Sequence, residues 1–129
     1  MTASLTIAQA AERTGLSADT LRYYERDDLL LRRPPRAVSG HRRYQESDLA
    51  WIEMVTRLRA TGMAIRQVRR YAALVRAGDG NEQERLDLLL AHRQQVLDNL
   101  AEQQAHLAAI EVKVGLYTER LKQQVPAPA

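Results

Sequence analysis

Along the second half of the chain, apolar residues recur at alternating intervals of three and four. Counted from Leu86, the positions are Leu86, Leu89, Arg93, Val96, Leu100, Gln103, Leu107, Ile110, Val114, Tyr117 and Leu121, and nine of the eleven are apolar. A 3,4 repeat of this kind is a coiled-coil seam. The 36 residues from 86 to 121 make a helical rod of roughly 54 Å. A lone rod cannot bury its stripe against a small head, and the simplest partner is a second copy of itself. Dimerisation is therefore assigned to Leu86, Leu89, Val96, Leu100, Leu107, Ile110, Val114, Tyr117 and Leu121. Leu88, Leu90, Leu97, Val112 and Leu116 widen the stripe enough to pack on head helices at the ends of the rod.

The first half carries shorter patterns. Thr6 followed by Gln9 has capping-box spacing, and Ile7, Ala10 and Ala11 share one face of a helix ending near Gly15. Ser17 caps a second helix whose inward face carries Leu21 and Tyr24. Two short helices joined by a glycine turn form a helix-turn-helix. Pro34-Pro35 forbids helix. Ser39-Gly40 reads as a turn between Leu29-Leu30-Leu31 and His41-Arg42-Arg43-Tyr44, which predicts a basic two-stranded wing. A third helix follows from about Ser47 to Ala60, and a fourth, marked by Ile65, Val68, Ala72 and Val75, stops at Gly78. The expected fold is mainly α: a winged helix-turn-helix head over residues 1–78, a dimerisation coiled coil over 79–123, and a flexible tail over 124–129.

Charge divides at the same place. Residues 1–78 hold 14 Arg, no Lys and 8 acids, net +6, whereas 79–129 hold 5 Lys or Arg and 8 acids, net −3. Arginine's planar fork suits phosphate and guanine, so the basic half leans toward nucleic acid, with genome-driven arginine preference as the alternative. Cysteine is absent from the sequence, which excludes disulfides, thiolate metal sites and cysteine nucleophiles. No run is apolar enough to cross a membrane and no signal peptide opens the chain, so a cytoplasmic protein without membrane partners is expected. His92 and His106, 14 residues apart on one helix, stand about 21 Å apart along its axis, too far to share a metal. Without a phosphate loop, an HExxH motif or a serine elbow, no enzyme, no catalytic residue, no metal and no cofactor are expected.

Arg22, Tyr23 and Arg26 project from the outer face of the second helix, where Arg can read guanine and Tyr can hold phosphate. Tyr24 has the helical phase of Leu21, so core packing competes with a DNA role there. TLRYYE at Thr20–Glu25, GHRRY at Gly40–Tyr44, Asp48-Leu49 and LRATGMAI at Leu58–Ile65 together resemble the MerR family of transcription regulators. The resemblance covers roughly residues 5–77 and continues along the terminal helix to about 122. It implies an antiparallel coiled-coil homodimer on two-fold symmetric double-stranded promoter DNA. It also implies distortion of an overlong promoter spacer, so that RNA polymerase engages both elements. Carried over by motif, it implies that Arg22, Tyr23 and Tyr24 are DNA contacts of the recognition helix and Arg42, Arg43 and Tyr44 wing contacts; Ser17, Thr20, Arg26, Arg36 and His41 complete the expected DNA-binding set.

The sequence departs from the family pattern at three places. His41 stands where Tyr is usual, Asp27-Asp28 replaces a common Gly before the leucine pair, and Gln45 replaces a Ser cap. Lacking thiols, the chain leaves room for a non-covalent organic effector walled by Trp51, Tyr71 and Tyr117, with core packing as the other role for each, or for no effector at all. The competing functional class is a coiled-coil adaptor, or an architectural nucleic-acid-binding protein without promoter activation.

Overall fold

The computed structural model describes residues 4–37 and 40–124. Five helices follow in order: α1 (Ile7–Thr14), α2 (Ala18–Arg26), α3 (Glu46–Ala60), α4 (Ile65–Arg76) and α5 (Glu82–Gln123). The chain forms two compact units whose boundary falls inside α5, between His92 and Arg93. No helix among the described residues is long and apolar enough to cross a membrane.

The ends of the head helices follow local chemistry. At α1, Thr6 Oγ1 accepts from Gln9 N at 3.2 Å while the Gln9 side chain accepts from Thr6 N at 2.9 Å, satisfying two donors that the helix itself cannot. Gly15 closes α1 in the left-handed region at φ 75°, its N–H donating to Ala11 O. Ser17 caps α2 by accepting from Thr20 N at 3.0 Å. Gln45 precedes α3 and donates its backbone N–H to Asp48 Oδ2 at 2.7 Å. Asp48 thus plays at the first turn of α3 the part that Gln9 plays at α1, accepting the N–H of the residue that caps the helix.

Around these ends one core forms from Ala10, Leu21, Tyr24, Leu29, Leu30, Tyr44, Leu49, Ile52, Val55, Leu58, Met63 and Val68. Leu88 and Leu89, in the second turn of α5, pack against it. Asn81 Nδ2 donates to Leu74 O at 2.8 Å, and Arg85 donates to Gly78 O, so α5 begins by satisfying carbonyls at the end of α4.

The segment before α3 differs from expectation. Leu29 and Leu30 are core residues, 0% and 7% exposed, not an arm of the wing. A run of three leucines in a small head is drawn inward to bury area, which a two-sided ribbon cannot offer. The chain turns back later: Ala37 N–H donates to His41 O at 2.8 Å, Gly40 N–H to Ala37 O at 2.8 Å and Arg43 N–H to Pro35 O at 2.8 Å. Among the described residues there is no strand, only the isolated bridges Arg36↔Arg42 and Leu5↔Tyr44. Gly40 takes φ 85° at this turn, a conformation glycine adopts freely; Ser39 lies outside the described residues. Asp28 also lies in the left-handed region, at φ 57°. That is where glycine was expected before the leucine pair.

The second unit consists of α5 from Arg93 onward. α5 contains no buried residue. Leu100, Leu107, Ile110, Val114, Tyr117 and Leu121 are each between 52% and 63% exposed. Of the expected tail, Gln124 is described and residues 125–129 lie outside the described residues.

Candidate nucleic-acid interface

Burial sorts the α2 side chains. Leu21 and Tyr24 turn inward, 0% and 7% exposed, while Arg22, Tyr23 and Arg26 face solvent. Tyr24, expected as a DNA contact, packs in the core with Leu21, the residue whose helical phase it shares. Its ring lies 6.2 Å from that of Tyr23 at a 54° tilt, which helps fix the exposed ring beside it. Ser17 and Thr20 sit at the helix start with their hydroxyls 2.9 Å apart. Arg22 Nη1 pairs with Asp19 Oδ1 at 2.9 Å, an exposed pair that leaves the guanidinium free to exchange partners.

The turn after α2 brings a second set of groups alongside. Arg36 Nη1 donates to Gly40 O at 3.1 Å, and its side chain and that of His41 are exposed. Arg42 is not an open phosphate contact: its Nε donates to Glu25 Oε2, with both side chains largely buried at 19% and 11% exposure. The pair ties the turn to the recognition helix, so Arg42 holds position and its charge is compensated. Arg43 is half-exposed. Tyr44 is 0% exposed and belongs to the core. Expected as a wing contact, it is drawn under the head by backbone bonds to Leu5 at 2.7 and 2.8 Å. Burial raises the pKa of its hydroxyl.

At the C-terminal end of α2, Arg69 of α4 donates from Nη2 to Asp27 Oδ2 at 2.9 Å and from Nε to Asp27 O at 3.2 Å. The Arg69 guanidinium beside it, and then the neighbouring Tyr23 hydroxyl, hold the Asp27 carboxyl below its ordinary pKa. The nearby Asp27 carboxylate in turn raises the pKa of the Tyr23 hydroxyl. Arg76 reaches the following turn, donating to Leu30 O at 2.6 Å and Asp28 O at 3.2 Å. Sequence reasoning did not find Glu25, Asp27, Arg69 or Arg76. Glu25 and Asp27 had a local signal, as the last letter of TLRYYE and as part of the Asp27-Asp28 departure.

Two further groups bear on ligands. Arg32 and Asp48 form a two-pronged pair, with Nε to Oδ1 at 3.0 Å. Trp51 Nε1 donates to Leu29 O at 2.7 Å and its ring lies 5.5 Å from Tyr71, so both aromatics are fixed packing elements. Trp51 also lines a cavity of about 220 Å³ with Leu30, Leu31 and Ser47. Tyr117 belongs to the second unit, half-exposed, with the Arg120 guanidinium 5.6 Å from its ring centre. Among the described residues, no three His, Asp or Glu side chains converge on a metal position.

Comparison with known proteins gives a concordant result. The model of the MerR HTH family regulatory proteins matches residues 5–74. An uncharacterised HTH-type transcriptional regulator of Haemophilus influenzae is 36% identical over 112 residues, covering 87% of this chain and 82% of that protein. The crystal structure of HiNmlR, a MerR family regulator lacking the sensor domain and bound to promoter DNA, superposes with TM-score 0.81 at 34% identity, over 90% of this chain and 91% of that one. A MerR family regulator from Listeria monocytogenes superposes with TM-score 0.85 at 34% identity, over 93% and 96% of the two chains.

Proposed function

Because this chain belongs to the MerR family of helix-turn-helix regulatory proteins, we propose that it works as a homodimer on a two-fold symmetric promoter operator. The observation that carries this reading is the face of α2, where Arg22, Tyr23 and Arg26 stand exposed on a helix whose other side is locked into the core. A groove-reading helix needs that combination of rigid backing and free polar tips. HiNmlR, alike over nine tenths of the chain, was captured on promoter DNA.

Direct contacts are assigned to Arg22, Tyr23 and Arg26, with Arg36, His41 and Arg43 on the flanking backbone and Ser17 and Thr20 at the phosphate-facing helix start. The hydrogen-bonded turn of residues 35–43 serves as a short two-stranded wing. Functionally the chain divides into a DNA-binding head at 1–78, a dimerisation helix at 79–123 and a tail at 124–129. Apolar side chains left half-exposed along α5 are the surface a second copy covers. On such an operator the dimer distorts an overlong spacer so that RNA polymerase engages both promoter elements. The role is regulatory and not catalytic, and it is exercised in the cytoplasm.

Selecting duplexes from a random pool with purified protein tests the reading. Recovered sites should contain paired half-sites with a fixed spacing, and single strands should compete poorly. Recovery of unpaired sites, or equal competition by single-stranded RNA, would favour the adaptor or architectural alternative.

A further inference from the structure

The single tryptophan of the chain borders a space that the core leaves unfilled. Trp51 of α3, with Leu30, Leu31, Arg32, Ser47 and Asp48, lines a cavity of about 220 Å³ that is partly open to solvent. Its walls are braced from outside. Trp51 Nε1 donates to Leu29 O at 2.7 Å and the ring lies 5.5 Å from that of Tyr71, so the indole is fixed at two points. Arg32 grips Asp48 through both Nε and Nη2, and Asp48 Oδ2 also accepts the Gln45 N–H at 2.7 Å. Leu30 is anchored in the core at 7% exposure. Side chains held in this way do not fall inward to close the gap, so the packing deficit persists until something else fills it.

Size and charge select the occupant. An apolar cavity of about 150 Å³ holds benzene, and drug-sized ligands need about 300 Å³ or more. The space beside Trp51 therefore suits one ring with a small substituent. Leu30, Leu31 and the indole offer apolar contact. The Asp48 carboxylate is committed to three donors, and Arg32 is compensated by it. A charged ligand would lose its hydration here without finding an unpaired counter-charge. Ser47 adds a hydroxyl that can donate or accept one hydrogen bond.

We propose that this cavity is a binding site for a small, neutral, single-ring organic molecule carrying a hydroxyl or carbonyl group. Leu30 and Leu31 belong to the connection that follows α2, and Ser47 and Trp51 to the first two turns of α3, so the occupant bridges two segments of the head. The expected effector wall of Trp51, Tyr71 and Tyr117 is thereby redrawn: Tyr71 backs the indole, and Tyr117 lies in the other unit. The site stands independently of how the head meets DNA.

The test uses the full-length, isotopically labelled protein, whose one tryptophan gives one indole N–H resonance. Benzyl alcohol should shift that resonance saturably, with a dissociation constant on the order of 1 mM for so small a ligand. Benzoate and benzylammonium, alike in shape but charged, should bind at least about tenfold more weakly. Leu31→Phe, which extends a lining side chain into the space, should weaken benzyl alcohol by about tenfold or more. Ser47→Ala, at an exposed position, leaves the core untouched and should weaken it about fivefold by removing its hydrogen-bond partner. Absence of a saturable shift would overturn the proposal, as would undiminished binding in both variants. Equal or tighter binding of either charged probe would overturn the assignment to neutral ligands. A shift confined to Val114→Asp, a substitution inside the proposed seam, would overturn it too, because a second copy would then be filling the cavity.

Discussion

Two adjacent arginines in the turn before α3 offer a sharp contrast. Arg42 is nearly enclosed and bonded to Glu25, whereas Arg43 is half-exposed and holds its place through its backbone N–H to Pro35 O. Arg43→Ala should remove one phosphate contact per protomer. Each contact contributes about 0.9 to the slope of log affinity against log salt, so a dimer should lose about 1.8. Between about 50 and 200 mM salt, that is roughly a 12-fold smaller fall in affinity than the wild type suffers. Thermal stability should hold, because a partly exposed arginine carries little of it. Arg42→Ala should behave oppositely. It strands the Glu25 carboxylate at 11% exposure, at a cost of about 1–3 kcal/mol, which for a head of this size lowers the melting temperature by about 4–8 °C per kcal/mol. Its salt slope should stay within about 0.5 of wild type, since the charge was already compensated. Calorimetry and salt-titrated DNA-binding isotherms on both variants decide the matter. If Arg42→Ala flattened the slope as Arg43→Ala does while melting unchanged, the Glu25 pair would not be what holds Arg42.

Four further outcomes follow from other positions. Val114→Asp places a carboxylate at a position 52% exposed in the single chain and inside the proposed dimer seam, where an unpaired charge costs several kcal/mol per copy; sedimentation should show monomers that keep the head's melting transition, and a persisting dimer would remove Val114 from the interface. Asp28→Gly relieves a non-glycine residue at φ 57° and should raise denaturant-measured stability by about 0.5 kcal/mol, whereas a loss above about 1 kcal/mol would mean that the aspartate side chain supports the turn. Tyr44→Phe should leave DNA affinity within about twofold, while Tyr44→Ala opens the core at about 3–5 kcal/mol; a selective loss of binding in the phenylalanine variant would return the hydroxyl to the interface. Stoichiometric Cu(I), Hg(II) and Zn(II) should shift operator affinity by less than tenfold, about 1.4 kcal/mol, in a chain without cysteine, and a larger shift would point to histidines paired across the dimer.

What was legible in the sequence was local. The Thr6–Gln9 box, the Ser17 cap, Gly15 and the period of Leu21 with Tyr24 each depend on neighbours within one helical turn, and each appears as read. The third helix begins at Glu46, one residue before its expected start, because Asp48 reaches back to Gln45. What escaped was long-range. Glu25 and Arg42 are 17 residues apart and Asp27 and Arg69 are 42 apart, and no periodicity links such pairs. The burial of Tyr44 and of the leucine run was illegible for a related reason. An alternating or basic context says that a segment is extended, but which side chains the head swallows depends on the helices it meets.

Leu88, Leu89 and Arg85 change how this regulator could be cut and recombined. Glycines at 78 and 80 with φ 87° and 106° look like a natural seam for exchanging sensory or oligomerising parts between relatives. A graft made there would strip two leucines from the head's core and the Arg85 donor from Gly78 O, exposing apolar surface at the junction. Exchange that carries the first turns of α5 with the head, through His92, keeps those contacts intact, including Thr61 Oγ1 to His92 Nε2 at 2.7 Å. The heritable unit of DNA recognition is therefore longer than its helix-turn-helix, and chimaeras joined after His92 should fold where those joined at Gly78 aggregate.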